Sequence, residues 1–241
     1  MKPIILITIY RRYRELIKCL ENIHELKKEF KEEPQIVVVW ACPVLGNLWF
    51  FEKLIRERKI NHLILRHKNR DGGATSFPES LNLRLGLEFI EKNYEGQEFY
   101  VIGQACDIFP NPGTYKLVDT LLHEKEKAVL FFWENGIARE NVWHTNFFAI
   151  SNDKNYWPPL SEINNADTLE VQWGKNLASK GLPFYRTHNS RCLKFTESNY
   201  DQLNLALVPI KDHSYINLNI MGYKSLWRRV KDFIKRIFKW R

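Results

Sequence analysis

The chain has 241 residues, 44% of them apolar and 14% aromatic, enough to bury a large core within one α/β-sized domain and too many for global disorder. The net charge is +8, yet residues 224–241 hold eight Lys or Arg against the single acid Asp232 and so carry +7 of it. The remaining body is close to neutral, which argues against a DNA-binding face spread over the domain and against nucleic acid as a partner.

The four cysteines, Cys19, Cys42, Cys106 and Cys192, are far apart and form no CxxC pair. That pattern argues against a zinc ribbon or disulfide framework and for a reducing, cytoplasmic compartment. No apolar run approaches the roughly 18 residues needed to span a bilayer. Residues 4–9 (IILITI) are too short for a signal-peptide core and read as a buried first strand.

The next stretch places Leu16, Leu20, Ile23, Leu26 and Phe30 at helical steps of three and four, and Pro34 closes it. Residues 36–41 (IVVVWA) form a continuous, β-branched second strand of the kind buried in parallel sheets. A helix is expected over 48–60 and a short strand over 62–66. The loop 69–76 (NRDGGATS) contains two glycines, and Pro78 fits the first turn of a helix reaching Asn93. Residues 99–103 form a fourth strand ending at Cys106 and Asp107, and Asn111-Pro112-Gly113 is a turn that starts another helix. Strands follow at 128–133 and 146–151, then a helix over 167–180 stopped by Gly181, and a last strand at 183–187. Residues 189–221 read as irregular. This alternation predicts one domain over 1–205 with a mainly parallel central sheet, a connector over 206–222, and a helix over 223–241.

In such sheets ligands bind beyond the carboxyl ends of the strands. The expected ligand loops are therefore Thr8 to Arg12, Ala41 to Pro43, Arg70 to Gly73, and Asp107. Arginines there can pair bidentately with phosphate, glycine allows close backbone approach, and an aspartate just past a strand suits Mg²⁺ or Mn²⁺.

Four segments, in order, carry a family resemblance: ILITIYRRYRELIKCL, GGATSFPESLNLRLGL, ACDIFPNPG and LEVQWGKNLASKG. They resemble the opening strand and helix, the glycine loop with its asparagine helix, the DxD segment, and the base-bearing helix of GT-A glycosyltransferases. The likeness is greatest to the inverting family-2 enzymes and covers roughly residues 3–188. It implies a Rossmann-like GT-A fold and transfer from a nucleotide-diphosphate sugar to a glycan or lipid-linked acceptor. The donor would be met by Thr8, Tyr10, Arg12, Cys42, Arg70, Asp71, Gly73, Asn82, Gln104 and Ala105. Asp107 and His188 would hold Mn²⁺ or Mg²⁺, and Trp143 and His144 would face the acceptor. Spacing back from Gly181 favours Glu170 as the base that deprotonates the acceptor hydroxyl, with Asp167 as the alternative base or a helix cap.

The chain departs from the pattern at Ala105, where the family has the first aspartate of its metal motif. That leaves open a catalytically degenerate scaffold or glycan-binding module. A nucleotidyltransferase on a similar sheet would call for a glycine-rich basic loop after the first strand, and Thr8 to Arg12 contains no glycine.

In the tail, Trp227, Phe233, Phe238 and Trp240 belong to an apolar stripe, while Arg228, Arg229, Lys235 and Arg236 lie on the remaining surface. A basic helix with aromatic residues on its apolar side suits the interface of an anionic membrane, here the inner, cytoplasmic face. The same stripe could instead pack on the body or on a second copy.

Overall fold

A computed structural model describes residues 1–9, 13–41, 48–66, 76–132, 145–159, 169–188 and 192–194, with the side chains of 76–78, 132, 188 and 193–194 outside the description. Residues Met1–Tyr200 form one compact unit. The tail expectations at 223–241, and the domain boundary at 205, lie outside the described residues.

The unit is built on a seven-stranded sheet in the order β3-β2-β1-β4-β7-β6-β8. Its strands are β1 (Lys2–Ile9), β2 (Gln35–Ala41), β3 (His62–Arg66), β4 (Phe99–Ala105), β6 (Ala128–Phe132), β7 (Phe147–Ser151) and β8 (Tyr185–His188). β1, β2, β3 and β4 pair in parallel, and β6 pairs in parallel with β8. β7 runs antiparallel to both of its neighbours. The predicted, mainly parallel α/β sheet is therefore present, with one reversed strand in the middle. The small strands β5 (Ile108–Pro110) and β9 (Cys192–Lys194) form a separate antiparallel pair that sequence periodicity did not reveal.

Among the described residues five helices cover the sheet: α1 (Tyr13–Leu26), α2 (Leu48–Arg56), α3 (Ser76–Asn93), α4 (Thr114–His123) and α5 (Leu169–Ser179). Ile4 and Leu6 of β1, Val37 and Val39 of β2, and Phe148 and Ile150 of β7 pack against Leu83, Leu87 and Ile90 of α3 and Trp173 and Leu177 of α5. The alternation of two along the strands places Ile5, Ile7, Val38 and Trp40 on the opposite face. There Gln104 meets Cys19 of α1 and Tyr115 of α4, and Trp40 stacks on Phe51 of α2 at 4.3 Å.

Two glycines set how closely this core closes. A Cβ on Gly86 of α3 would lie 2.4 Å from a methyl of Leu6, and one on Gly103 of β4 would lie 2.1 Å from the Phe148 ring. Their missing side chains let α3 lie directly on β1 and let Phe148 fill the space over β4.

Helix ends explain where the elements differ from their predicted bounds. The helix expected over 48–60 stops at Arg56, because Arg58 takes a left-handed φ of 55°. The Lys59 amide then donates to the Leu54 carbonyl and the Arg58 amide to Ile55, the paired bonds of a Schellman cap. Gly181, with φ of 61°, caps α5 in the same way: the Leu182 amide donates to Leu177 and the Gly181 amide to Ala178. β4 runs two residues beyond the predicted 103, and the last strand starts at Tyr185 rather than Pro183.

Candidate functional site

Because β1, β2, β3 and β4 share one direction, their carboxyl ends lie along one edge of the sheet. β7 contributes its amino end to that edge, since Phe147 pairs with Gln104. α3 lies with Gly86 over Leu6, and its first turn reaches towards the same edge. α5 begins there with Leu169 and Glu170.

Thr8, the last but one residue of β1, is half-buried, with its Cα opposite Ala105 of β4. Asp107 follows in the tight turn between β4 and β5 and is only 6% exposed. Behind that turn sits a buried polar network. The Gln104 Nε2 donates to the Ile108 carbonyl at 2.9 Å and to Cys19 Sγ at 3.2 Å, and its Oε1 accepts from the Tyr115 hydroxyl at 2.6 Å. The Gln104 side chain, expected at the donor, thus faces the α1/α4 side of the sheet and holds the Asp107 turn in shape. Burial raises the Tyr115 and Cys19 groups well above their ordinary ranges, so both stay protonated, Tyr115 as the donor to Gln104 Oε1 and the Cys19 sulfur as an acceptor from Gln104 Nε2.

In front of the turn three acidic side chains converge from three segments. Thr145, 4% exposed and just before β7, has its Oγ1 3.0 Å from Glu79 Oε1 of α3 and 2.9 Å from Glu170 Oε1 of α5. Glu79 is raised from its ordinary 4.5 to about 7 by burial, then by the charges of Glu170 and Asp107, against the opposing hydrogen bond from Thr145. Asn82 lies one turn further along α3, and its buried Oδ1 has no hydrogen-bond partner among the described residues. Ser80 ties the start of α3 to the Pro159 carbonyl at 3.0 Å.

The structure thus brings together four expected positions, Thr8, Ala105, Asp107 and Glu170, at one strand edge. His188 ends β8 opposite Phe132. Tyr10, Arg12, Cys42, Arg70, Asp71, Gly73, Trp143, His144 and Asp167 lie outside the described residues. Sequence reasoning missed Glu79 and Thr145. The available signal was an acid in the first turn of α3, three residues before Asn82 and so on the same helix face.

Among the described residues no three His, Cys, Asp or Glu side chains form a metal-binding group. Asp107 offers one carboxylate. That suits Mg²⁺ or Mn²⁺ when substrate phosphates and water complete the shell, the usual manner of Mg²⁺ in phosphate-handling sites. No helix among the described residues is long and apolar enough to cross a membrane.

No protein-family model and no curated protein sequence matches this chain. Solved structures do. The mannosyltransferase PcManGT of Pyrobaculum calidifontis, in complex with GDP-Man and Mn²⁺, superposes with a TM-score of 0.54 to 0.56 in company with a second enzyme. For PcManGT the score is 0.56 at 13% identity, covering 90% of this chain and 60% of that one. The second is 4-diphosphocytidyl-2C-methyl-D-erythritol synthase of Anaerococcus prevotii, at 0.54 and 14% identity, covering 85% and 95%. The nucleoside-diphosphate-sugar pyrophosphorylase of Vibrio cholerae aligns at 0.53 and 12% identity, covering 84% and 99%. This chain therefore spans less than two thirds of the mannosyltransferase and nearly the whole length of the other two. At these identities the likeness is one of fold: the sheet and its covering helices have the GT-A-like, Rossmann-like fold of the nucleotide-diphospho-sugar transferases.

Proposed function

We propose that the chain is a glycosyltransferase that moves a sugar from a nucleotide-diphosphate donor to a glycan or lipid-linked acceptor, with inversion. The observation that carries this reading is Glu170 in the first turn of α5, at the strand edge that also bears Asp107, one hydroxyl away from Glu79. In this role Glu170 accepts the proton of the acceptor hydroxyl. The acceptor oxygen forms the new bond to the sugar C1, and the bond from C1 to the diphosphate oxygen breaks, releasing the nucleoside diphosphate. A Mg²⁺ or Mn²⁺ at Asp107 would supply electrostatic stabilisation of the leaving diphosphate. His188, at the end of β8, is the proposed second protein ligand. The Mn²⁺ in the mannosyltransferase complex is consistent with a divalent cation. Thr8, Asn82 and the backbone at Ala105 form the described part of the proposed donor floor.

The acceptor side is proposed to be membrane-associated, on the cytoplasmic face. The support is the sequence of residues 224–241, where the +7 charge and the aromatic stripe coincide.

The test is a panel of nucleotide-diphosphate sugars with Mn²⁺ or Mg²⁺, read by nucleoside diphosphate release and thermal shift. A ligand at 100 times its Kd stabilises by about 2.7 kcal/mol, which for a unit of this size moves Tm by roughly 5–10 °C. No shift with any nucleotide, or full activity in Asp107→Ala, would overturn the reading. A second reading, a nucleotidyltransferase, is favoured by the two similar enzymes whose full length this fold spans. Pyrophosphate release from a nucleoside triphosphate plus a sugar 1-phosphate would select it. Glycan binding without turnover of either kind would select the scaffold alternative that Ala105 suggests.

A further inference from the structure

The hydroxyl of Thr145 stands between two carboxyl groups, 3.0 Å from Glu79 and 2.9 Å from Glu170. A threonine hydroxyl has one proton to donate and lone pairs to accept with. It can donate to only one of the two oxygens. The other contact is a hydrogen bond only if that carboxyl itself carries a proton; otherwise two oxygen lone pairs face each other at bonding distance in a partly buried site.

We infer that Glu79 is the positioning residue for Glu170: at neutral pH the two carboxyls hold one proton between them across Thr145, with the chain of donation running from Glu79 through Thr145 to Glu170. This deepens the proposed function and rests on its assignment of Glu170 as base. In that state the Thr145 proton is committed to Glu170, which fixes the orientation of its carboxylate and keeps it as the acceptor end of the chain. The second oxygen of Glu170 remains for the acceptor hydroxyl.

The direction of donation follows from the surroundings. Among the described residues, the charged groups acting on Glu79 are Glu170 of α5 and Asp107 of the β4–β5 turn, both acidic, and burial opposes its charge further. Glu79 is therefore the member that retains the proton. Ionising it would draw the Thr145 proton away from Glu170 and free the carboxylate that the base role needs oriented. That lowers activity, so protonated Glu79 is the working form.

The test uses the full chain. Glutamate carboxyl groups labelled with ¹³C are titrated by NMR, and donor turnover is followed from pH 6 to 9. In the wild type one glutamate titrates near 7, and kcat/KM for the donor falls by up to about tenfold per pH unit above that point. In Glu79→Gln, whose amide can donate to Thr145 at every pH, the titration and the fall both vanish. A merely structural role would lower the rate at every pH and leave the inflection in place. Thr145→Val, similar in shape but without the hydroxyl, is expected to lower kcat/KM about 10- to 100-fold, with Thr145→Ser restoring it. An inflection that persists in Glu79→Gln, or a wild-type rate in Thr145→Val, overturns the inference. Titration near 7 without turnover of any nucleotide-diphosphate sugar supports the shared proton and overturns the functional reading instead. No glutamate titrating above pH 6 overturns the shared proton whatever the turnover.

Discussion

Glu79 should leave its mark on stability as well as on chemistry. Its carboxyl is raised from 4.5 to about 7 in the folded chain. Between those two values the unfolded chain has lost the proton while the folded chain keeps it. The folded state then binds more protons, so stability falls as pH rises through this window and levels off above 7. The rise from 4.5 to about 7, at 1.36 kcal/mol per pH unit, makes the loss about 3 kcal/mol across the window. Glu79→Gln has no proton to lose and is isosteric, and its amide can still donate to Thr145. Denaturant unfolding at intervals from pH 4.5 to 8 should therefore show the difference between variant and wild type growing in favour of the variant by about 3 kcal/mol. Titrating groups not coupled to Glu79 cancel in that difference. Parallel stability curves for the two proteins would refute both the burial of an uncompensated carboxyl at this position and the proton it is argued to hold.

The network behind Asp107 predicts that Tyr115→Phe, which leaves the buried Oε1 of Gln104 without its donor, destabilises by about 1–3 kcal/mol in equilibrium unfolding. Combining it with Gln104→Leu should cost less than the two changes added, because both act on one network. Lys125 occupies a left-handed φ of 97° after α4, with the Glu126 amide closing on the Leu121 carbonyl. Lys125→Gly should accordingly stabilise by about 0.5–1 kcal/mol, whereas Lys116→Gly inside α4 should destabilise by about 1 kcal/mol, both read from denaturation midpoints. Deleting residues 223–241 should abolish co-sedimentation with anionic liposomes while leaving the unfolding midpoint of the Met1–Tyr200 unit unchanged; unchanged sedimentation would end the membrane reading.

Much of the framework follows from local sequence. The continuous apolar runs 4–7 of β1 and 36–41 of β2 have no polar position at which to face water, so they read as central, two-sided strands. The apolar steps of three and four along α1 specify a helix with one buried face, and Gly181 marks the end of α5 because its left-handed backbone is open to glycine. Asp107 just past a strand, and Glu170 in the first turn of a helix, were likewise legible, since each is defined relative to the element it borders.

Tertiary structure decided what no segment contains on its own. The reversal of β7 depends on which neighbour it finds, and its own sequence, FFAIS, is as apolar as that of a parallel strand. Arg58 ends α2 in a conformation its residue type disfavours, because the carbonyls of Leu54 and Ile55 need donors there. Gln104 looked like a ligand contact at a strand end, but the alternation of the strand turns it to the face occupied by α1 and α4. Above all, Glu79 and Thr145 are separated by 66 residues, and Thr145 and Glu170 by 25. Read locally, Glu79 is an ordinary acid in a helix's first turn, favoured there by the helix dipole. Only the packing of α3 and α5 on one face of the sheet brings it near a second carboxylate. Only that proximity, together with partial burial, turns an unremarkable side chain into one that keeps its proton up to about neutral pH.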